Sequence, residues 1–248
     1  MIIHKLRWYR GFFSSLDYEF FLLGSDEVVK RIIFDLDRTL IPWDKEWDKC
    51  VEKTYNYFGI PFEEDEFIKF NTAMLDYEKH HRKFDKKDMS RYFRNTIGKE
   101  IPDTFVEVWT RYLGKLVPEK DEKLIELLKY LSSKYSLVVA TNWFKDQQVS
   151  KLKLYGIYEY FDEVLTSDEY NKKPGRAMFE KACEGFVKDE VVMVGDTFKS
   201  DIKGAMDFGL YSYYLTTTDR RRGKRFKIIN FITFKHNKHL SINFIAVL

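Results

Sequence analysis

The chain has two cysteines, five prolines and no long hydrophobic run in its 248 residues. Each scarcity excludes something. Cys50 and Cys183, far apart in sequence, cannot make the dense disulfide framework that holds small secreted domains together. Cys183 falls on an apolar helical stripe with Phe179, Ala182 and Phe186, and Cys50 shares a stripe with Trp47, Val51 and Tyr55. Both read as core thiols of a reducing compartment. No apolar stretch approaches the about 20 residues needed to cross a bilayer. Charges break the amino-terminal "MIIHKLRWYRGFF" too early for the apolar centre of a signal peptide. A cytoplasmic location is expected. With a formal net charge of +3, the chain as a whole implies no polyelectrolyte partner. Internal repeats and low-complexity linkers are also missing.

What is present is organised by short buried strands. "RIIFD" (31–35), "SLVVAT" (136–141), "DEVLTS" (162–167) and "EVVMVGD" (190–196) recur between helical patterns, and "LYSYYLT" (210–216) reads as a fifth. Their apolar residues run continuously rather than alternating, which fits strands buried on both faces of a parallel sheet. Leu124, Leu127, Leu128 and Leu131 follow helical spacing, with Pro118 near the start. A second helix runs from Lys145 to Leu154 and ends near Gly156. Pro174 is expected to open a third, and Ser200 to Phe208 forms a fourth, stopped by Gly209. Alternating strands and helices predict an α/β fold with a doubly wound sheet.

Residues 44–117 break the alternation. They hold no convincing strand and read as several helices, split near "GIPFEED", "KFDKKDM" and "GKEIPDT". The expected organisation is an extension over 1–30, a core over 31–43 and 118–218, a helical cap over 44–117, and a basic and apolar extension over 219–248. The cap's many aromatic residues read as bundle core rather than ligand contacts.

In an open α/β sheet, ligands bind outside the carboxyl ends of the strands. The first strand ends in Asp35 and Asp37, the second in Thr141 and Asn142, and the fourth in Gly195 and Asp196, followed by Asp201. Lys173 precedes Pro174 after the third strand. Like charges gathered at one point repel, and an unpaired buried carboxylate is costly, so the cluster implies a cation or chemistry. Several carboxylates around one point suit a hard divalent cation such as Mg²⁺. A metal, a lysine and a threonine beside main-chain amides make a cradle for phosphate. One aspartate is then able to attack phosphorus, and the other to protonate the leaving oxygen and later activate water.

"DLDRT", Thr141 after "LVVA", Lys173 in "KKPGRAMF" and "GDTFKSD" stand in that order at the ends of successive strands. Together they resemble the four motifs of the haloacid dehalogenase-like hydrolase superfamily. The resemblance covers about residues 31–218, and the insert after the first motif resembles the helical cap of its subfamily I. By that resemblance Asp35 is the nucleophile that becomes an aspartyl-phosphate. Asp37 is the general acid and base, with its main-chain carbonyl on the metal. Thr141 hydrogen-bonds the phosphoryl group, and Lys173 holds Asp35 and the phosphate. Asp196 is a metal ligand, and Asp201 a ligand or the anchor behind one. Thr39 stabilises the loop, and the amides of Leu36 and Asn142 are candidate phosphate donors. The implied activity is Mg²⁺-dependent hydrolysis of a small phosphorylated metabolite. Because halide leaves without a proton, an acid at Asp37 favours phosphate-ester hydrolysis over dehalogenation. A phosphomutase or dehalogenase of the same superfamily, or a non-enzymatic phosphoaspartate regulator, is the alternative reading.

Other charged groups invite lesser readings. His80 and His81 are adjacent on a helix and point about 100° apart, so they chelate poorly. Arg82, Lys83, Arg91 and Arg94 are candidate cap contacts to an anionic group. The run "DRRRGKRFK" reads as a solvated basic segment rather than a nucleic-acid or lipid site.

Overall fold

A computed structural model describes residues 29–42, 47–63, 65–215, 232–235 and 238–241. Five strands form one parallel sheet: β1 (Arg31–Phe34), β2 (Ser136–Thr141), β3 (Glu163–Thr166), β4 (Val191–Gly195) and β5 (Tyr211–Tyr214). Their order is β3-β2-β1-β4-β5. β1 is therefore central, with Arg31 opposite both Ser136 and Val191, and Phe34 opposite Val139 and Val194. All five strands expected from the sequence are present, and the order reverses on either side of β1.

Successive strand residues point to opposite faces. Ile32, Phe34, Leu137 and Val139 pack on one side, against Leu128 and Leu131 of α5 (Glu122–Ser132) and Leu152 and Tyr155 of α6 (Lys145–Tyr155). Ile33, Val138 and Ala140 pack on the other, against Met178, Phe179 and Ala182 of α7 (Arg176–Ala182) and Ala205 and Phe208 of α8 (Lys203–Phe208). Both faces are covered, which is why these strands carry no polar alternation. The Asp121 carboxylate caps α5, accepting from the amides of Lys123 and Leu124. α6 ends at Gly156, whose φ of 81° is the left-handed turn that glycine takes without strain.

Two boundaries differ from the sequence expectation. α7 begins at Arg176, because Lys173 to Gly175 form a turn in which the Gly175 amide donates to the Lys172 carbonyl at 2.8 Å. The segment expected as one helix from Ser200 begins with a π-helical turn, Phe198–Ile202, that continues into α8. Past the sheet, β6 (Ile232–Lys235) and β7 (Lys238–Ser241) form an antiparallel hairpin that the sequence reading of 219–248 as a basic and apolar extension did not anticipate. The basic run and residues 1–28 lie outside the described residues.

The helical insert comprises α1 (Trp47–Tyr57), α2 (Glu66–His80), α3 (Lys86–Phe93) and α4 (Phe105–Leu113), with a π-helical turn at Arg94–Gly98. Most of its aromatic residues face inward, as a bundle core, with Tyr57 an exposed exception. Cys50, Tyr55, Phe70, Phe93, Phe105 and Trp109 are fully buried together. The Trp109 ring lies 4.8 Å from Phe70, 6.3 Å from Phe93 and 5.7 Å from Trp143, the last on the sheet side of the junction. Main-chain bonds also join the two parts: Phe84 N donates to Ser167 O at 2.9 Å, and Lys172 N to Arg82 O at 2.7 Å. Among the described residues no helix is long and apolar enough to cross a membrane, and both cysteines are buried thiols outside any disulfide.

Trp109 sits where the insert's core meets the sheet. Trp109→Ala is expected to cost about 3–5 kcal/mol, the range for deleting a buried large aromatic, and to lower the melting temperature. Chemical denaturation measures this; an unchanged midpoint would show that the bundle does not depend on this ring.

Candidate active site

The site assembles where four strands end. The Asp35 amide donates to Val194 O at 2.9 Å, which continues the pairing of β1 with β4 by one residue. The chain then turns tightly, with Leu40 N donating to Leu36 O and Arg38 N to Ile41 O. Arg38 takes a φ of 67°, uncommon for any residue but glycine. Its guanidinium is anchored across the site, with Nε 3.0 Å from Asp196 Oδ2 and a bond to Thr197 Oγ1. Backbone held in such a region by surrounding contacts is a frequent mark of a functional loop.

At the centre is Lys173, whose side chain is 1% exposed. Its Nζ lies 2.9 Å from Asp35 Oδ1 and 2.8 Å from Asp201 Oδ1. The other oxygen of Asp35 accepts from the Thr39 hydroxyl at 3.0 Å. Asn142 fixes the main chain of Lys173 through two reciprocal bonds: its Nδ2 donates to Lys173 O at 2.9 Å, and its Oδ1 accepts from Lys173 N at 2.7 Å. Burial pushes the Asp35 carboxyl up to about 7, against the opposing pull of Lys173. Burial alone would lower the lysine, but Asp201 and Asp35 outweigh it and hold the ammonium above its usual range. Burial likewise raises Asp196, with Arg38 opposing.

Asp35, Asp196 and Asp201 bring one oxygen each within 4.8 Å of one another. Asp201 is the most constrained of the three. Its Oδ2 accepts from the Thr197 amide at 2.9 Å, and its Oδ1 from Ser200 as well as Lys173. The Asp37 carboxylate does not join this group. It turns toward α6, where Gln148 Nε2 donates to its Oδ2 at 2.7 Å and the Lys151 ammonium pairs with its Oδ1. The same Gln148 nitrogen bonds Thr141 Oγ1 at 2.9 Å. Leu36 lies buried between the two aspartates. Gln148 and Lys151 do not stand out in the sequence. The one signal is polar residues at positions three apart on the inward stripe of a helix that starts just past Thr141.

The outlying candidates are elsewhere. Arg91 and Arg94 both pair with Asp103, at 3.1 and 2.6 Å, and so tie α3 to the loop before α4. His80 Nδ1 and His81 Nδ1 each lie 2.9 Å from a main-chain carbonyl one turn back, and His81 stacks on Tyr77. Lys172 is half-buried near the Phe84 ring, and burial holds its ammonium below the usual range.

The family described as haloacid dehalogenase-like hydrolase matches residues 32–214. The chain is 27% identical over 198 residues to the pyrimidine 5'-nucleotidase PynA of Streptococcus pneumoniae, covering 73% of this chain and 81% of that protein. It is 29% identical over 200 residues to the glyceraldehyde 3-phosphate phosphatase of Methanothermobacter thermautotrophicus, covering 74% and 84%. The crystal structure of a phosphatase from Thermococcus onnurineus superposes with a TM-score of 0.55 at 26% identity, covering 78% of this chain and 89% of that one.

Gly195 lets the Asp201 side chain approach the end of β4: a Cβ there would lie 2.5 Å from both Asp201 Cβ and Oδ2. Gly195→Ala must push Asp201 off Lys173. Small misplacements of this kind are costly, and kcat/KM is expected to fall by at least ~10-fold. Phosphatase assays beside melting curves check this; wild-type turnover would show that the placement of Asp201 is immaterial.

Proposed function

Because the chain belongs to the haloacid dehalogenase-like hydrolase family, we propose that it is a divalent-metal-dependent phosphatase acting on a small phosphate monoester through a phosphorylated Asp35. The observation that carries this reading is the separation of two carboxylates on one loop. Asp35 is held by Lys173 and Thr39, and Asp37 by Gln148 and Lys151. Neighbouring carboxylates with separate partners can take separate tasks. The relatives named as a pyrimidine 5'-nucleotidase and a glyceraldehyde 3-phosphate phosphatase support the substrate class.

The donor set fits a hard cation. Three carboxylates (Asp35, Asp196 and Asp201) face two cations (Lys173 and Arg38), which leaves one negative charge in excess. A phosphate dianion adds two more. Asp35 and Asp196 would hold a metal such as Mg²⁺, with the Asp37 carbonyl beside them and Asp201 bracing Lys173 and the Thr197 amide. Bound there, the ion supplies positive charge that offsets the repulsion between carboxylates and phosphate.

The protein's own groups carry the reaction. Asp35 attacks phosphorus, and its bond to phosphorus forms as the ester P–O bond breaks. Asp37 gives a proton to the leaving oxygen. Lys173 keeps the nucleophile in place and balances its charge. Thr141 accepts a bond from Gln148, so its own hydroxyl proton is available to the phosphoryl group, and the Leu36 and Asn142 amides are further donors. Asp37 then takes a proton from water, whose oxygen attacks the phosphorylated Asp35. Inorganic phosphate leaves and the carboxylate is restored. The aromatic helical cap is the part proposed to choose the ester. Dehalogenation would need no acid at Asp37.

Asp35→Asn is expected to abolish hydrolysis of p-nitrophenyl phosphate with the fold intact by circular dichroism. Substantial residual turnover would remove Asp35 as nucleophile. Exhaustive chelation should silence the enzyme, Mg²⁺ should restore it, and Ca²⁺, which prefers more ligands, should restore it poorly. Full activity in the chelated protein would show that no divalent ion takes part.

A further inference from the structure

Asp37 receives more support than a surface acid needs. Gln148 is fully buried and Lys151 is 6% exposed. Both rise from α6, one turn apart, and each reaches a different oxygen of the same carboxylate. Burying an amide and an ammonium costs free energy unless each finds a partner. Here the partner is an acid from β1's loop, more than a hundred residues away in sequence, so the contact is tertiary and not incidental to helix formation.

The amide orientation of Gln148 has a physical reason. Its Nε2 carries two protons, one for Asp37 Oδ2 at 2.7 Å and one for Thr141 Oγ1 at 2.9 Å. Its Oε1 is buried without a hydrogen-bond partner. Flipping the amide would set that oxygen against the Asp37 carboxylate and lose the bond to it. One side chain thus fixes the acid and the threonine relative to each other, and an ion pair from Lys151 fixes the acid from its other side.

We infer that Gln148 and Lys151 are positioning residues of the hydrolytic reaction, which aim the Asp37 carboxylate at the leaving oxygen and turn the Thr141 hydroxyl toward the phosphoryl group. The inference rests on the acid and base role proposed for Asp37. A carboxylate oxygen accepts more than one hydrogen bond, so Asp37 can keep both supports while it meets the substrate. Groups held by a rigid helix are placed more closely than groups held by loops.

The test compares two esters of similar shape, p-nitrophenyl phosphate and phenyl phosphate. Phenolate is the more basic leaving group, so its departure depends more on a well-aimed proton. The full-length Lys151→Met and Gln148→Glu proteins are assayed on both, with Asp37→Asn as reference. General acid assistance is worth about 10²–10⁴-fold, and misaimed assistance should lose at least ~10-fold of it. The expected result is a loss in kcat on phenyl phosphate at least ~10-fold larger than on p-nitrophenyl phosphate, with KM little changed. Lys151→Arg, which keeps the charge and the reach, should recover most of that loss. Gln148→Glu is isosteric and removes both donated bonds, so it tests the same point if Lys151→Met does not fold; circular dichroism checks the fold of each protein. If Asp37→Asn itself shows no dependence on the leaving group, the acid and base reading fails. If Asp37→Asn shows that dependence while Lys151→Met and Gln148→Glu slow both esters equally, or not at all, the positioning inference is overturned and the Asp37 reading stands.

Discussion

The buried ammonium of Lys173 is the constraint on which the rest of the site depends. Removing a charge from water costs several kcal/mol, repaid only by close, well-oriented partners. Those partners come from separate parts of the chain: Asp35 past β1 and Asp201 past β4, with Asn142 past β2 holding the lysine's main chain. None of the contacts forms unless the strands stand in the order β3-β2-β1-β4. The ion triad and the sheet topology are one requirement, and breaking a single member leaves a charge stranded in a dry interior. The low exposure that makes the triad costly also strengthens every electrostatic interaction within it.

The helical insert obeys a different rule. Its stability comes from aromatic burial among α1 to α4, in a cluster that Phe144 and Trp143 complete from the sheet side. The two parts meet through a small set of residues, and Trp143 is the most telling. It directly follows Thr141 and Asn142, and its ring lies 5.8 Å from Phe84, 5.7 Å from Trp109 and 5.4 Å from Phe144. The loop that carries Thr141, the hydroxyl proposed to meet the phosphoryl group, therefore also carries the wedge against the insert. A shift of the insert is felt two residues from Thr141.

The sheet was legible in the sequence because it obeys local rules. Buried parallel strands read as continuous apolar runs, and the insert's splits fall where turn residues cluster. The grouping of Asp35, Lys173 and Asp196 was legible because both aspartates directly follow strands and Lys173 lies on the loop after β3. What stayed hidden depends on tertiary partners. Nothing local marks Lys151 as the mate of Asp37. Arg91 and Arg94 read as candidate contacts to an anionic group, whereas both pair with Asp103. Pro174 suggested a helix start, yet the chain needs Lys172 to Gly175 as a turn to deliver Lys173. Nothing local marks the polar face of α6 as an inward one, although Gln147, Gln148 and Lys151 are all buried.

That polar, buried character makes sense once α6 is seen to touch three bodies at once. Leu152 and Tyr155 lie on the sheet. Gln148 and Lys151 reach the acid loop and Thr141. Ser150 donates to Gly114 O at 2.8 Å, just beyond α4 of the insert, and Gln147 lines the same junction with Thr110 and Arg111. An ordinary amphipathic helix has one apolar face and one wet face; this one has an apolar face, a site-facing face and an insert-facing face. A helix is stiff along its length, so a displacement at Ser150 is carried to Lys151 and Gln148 within the same turn. The insert thereby bears on Asp37 through rigid backbone rather than through a chain of side chains. The element that reports the insert's position to the acid is also the one that holds the acid in place.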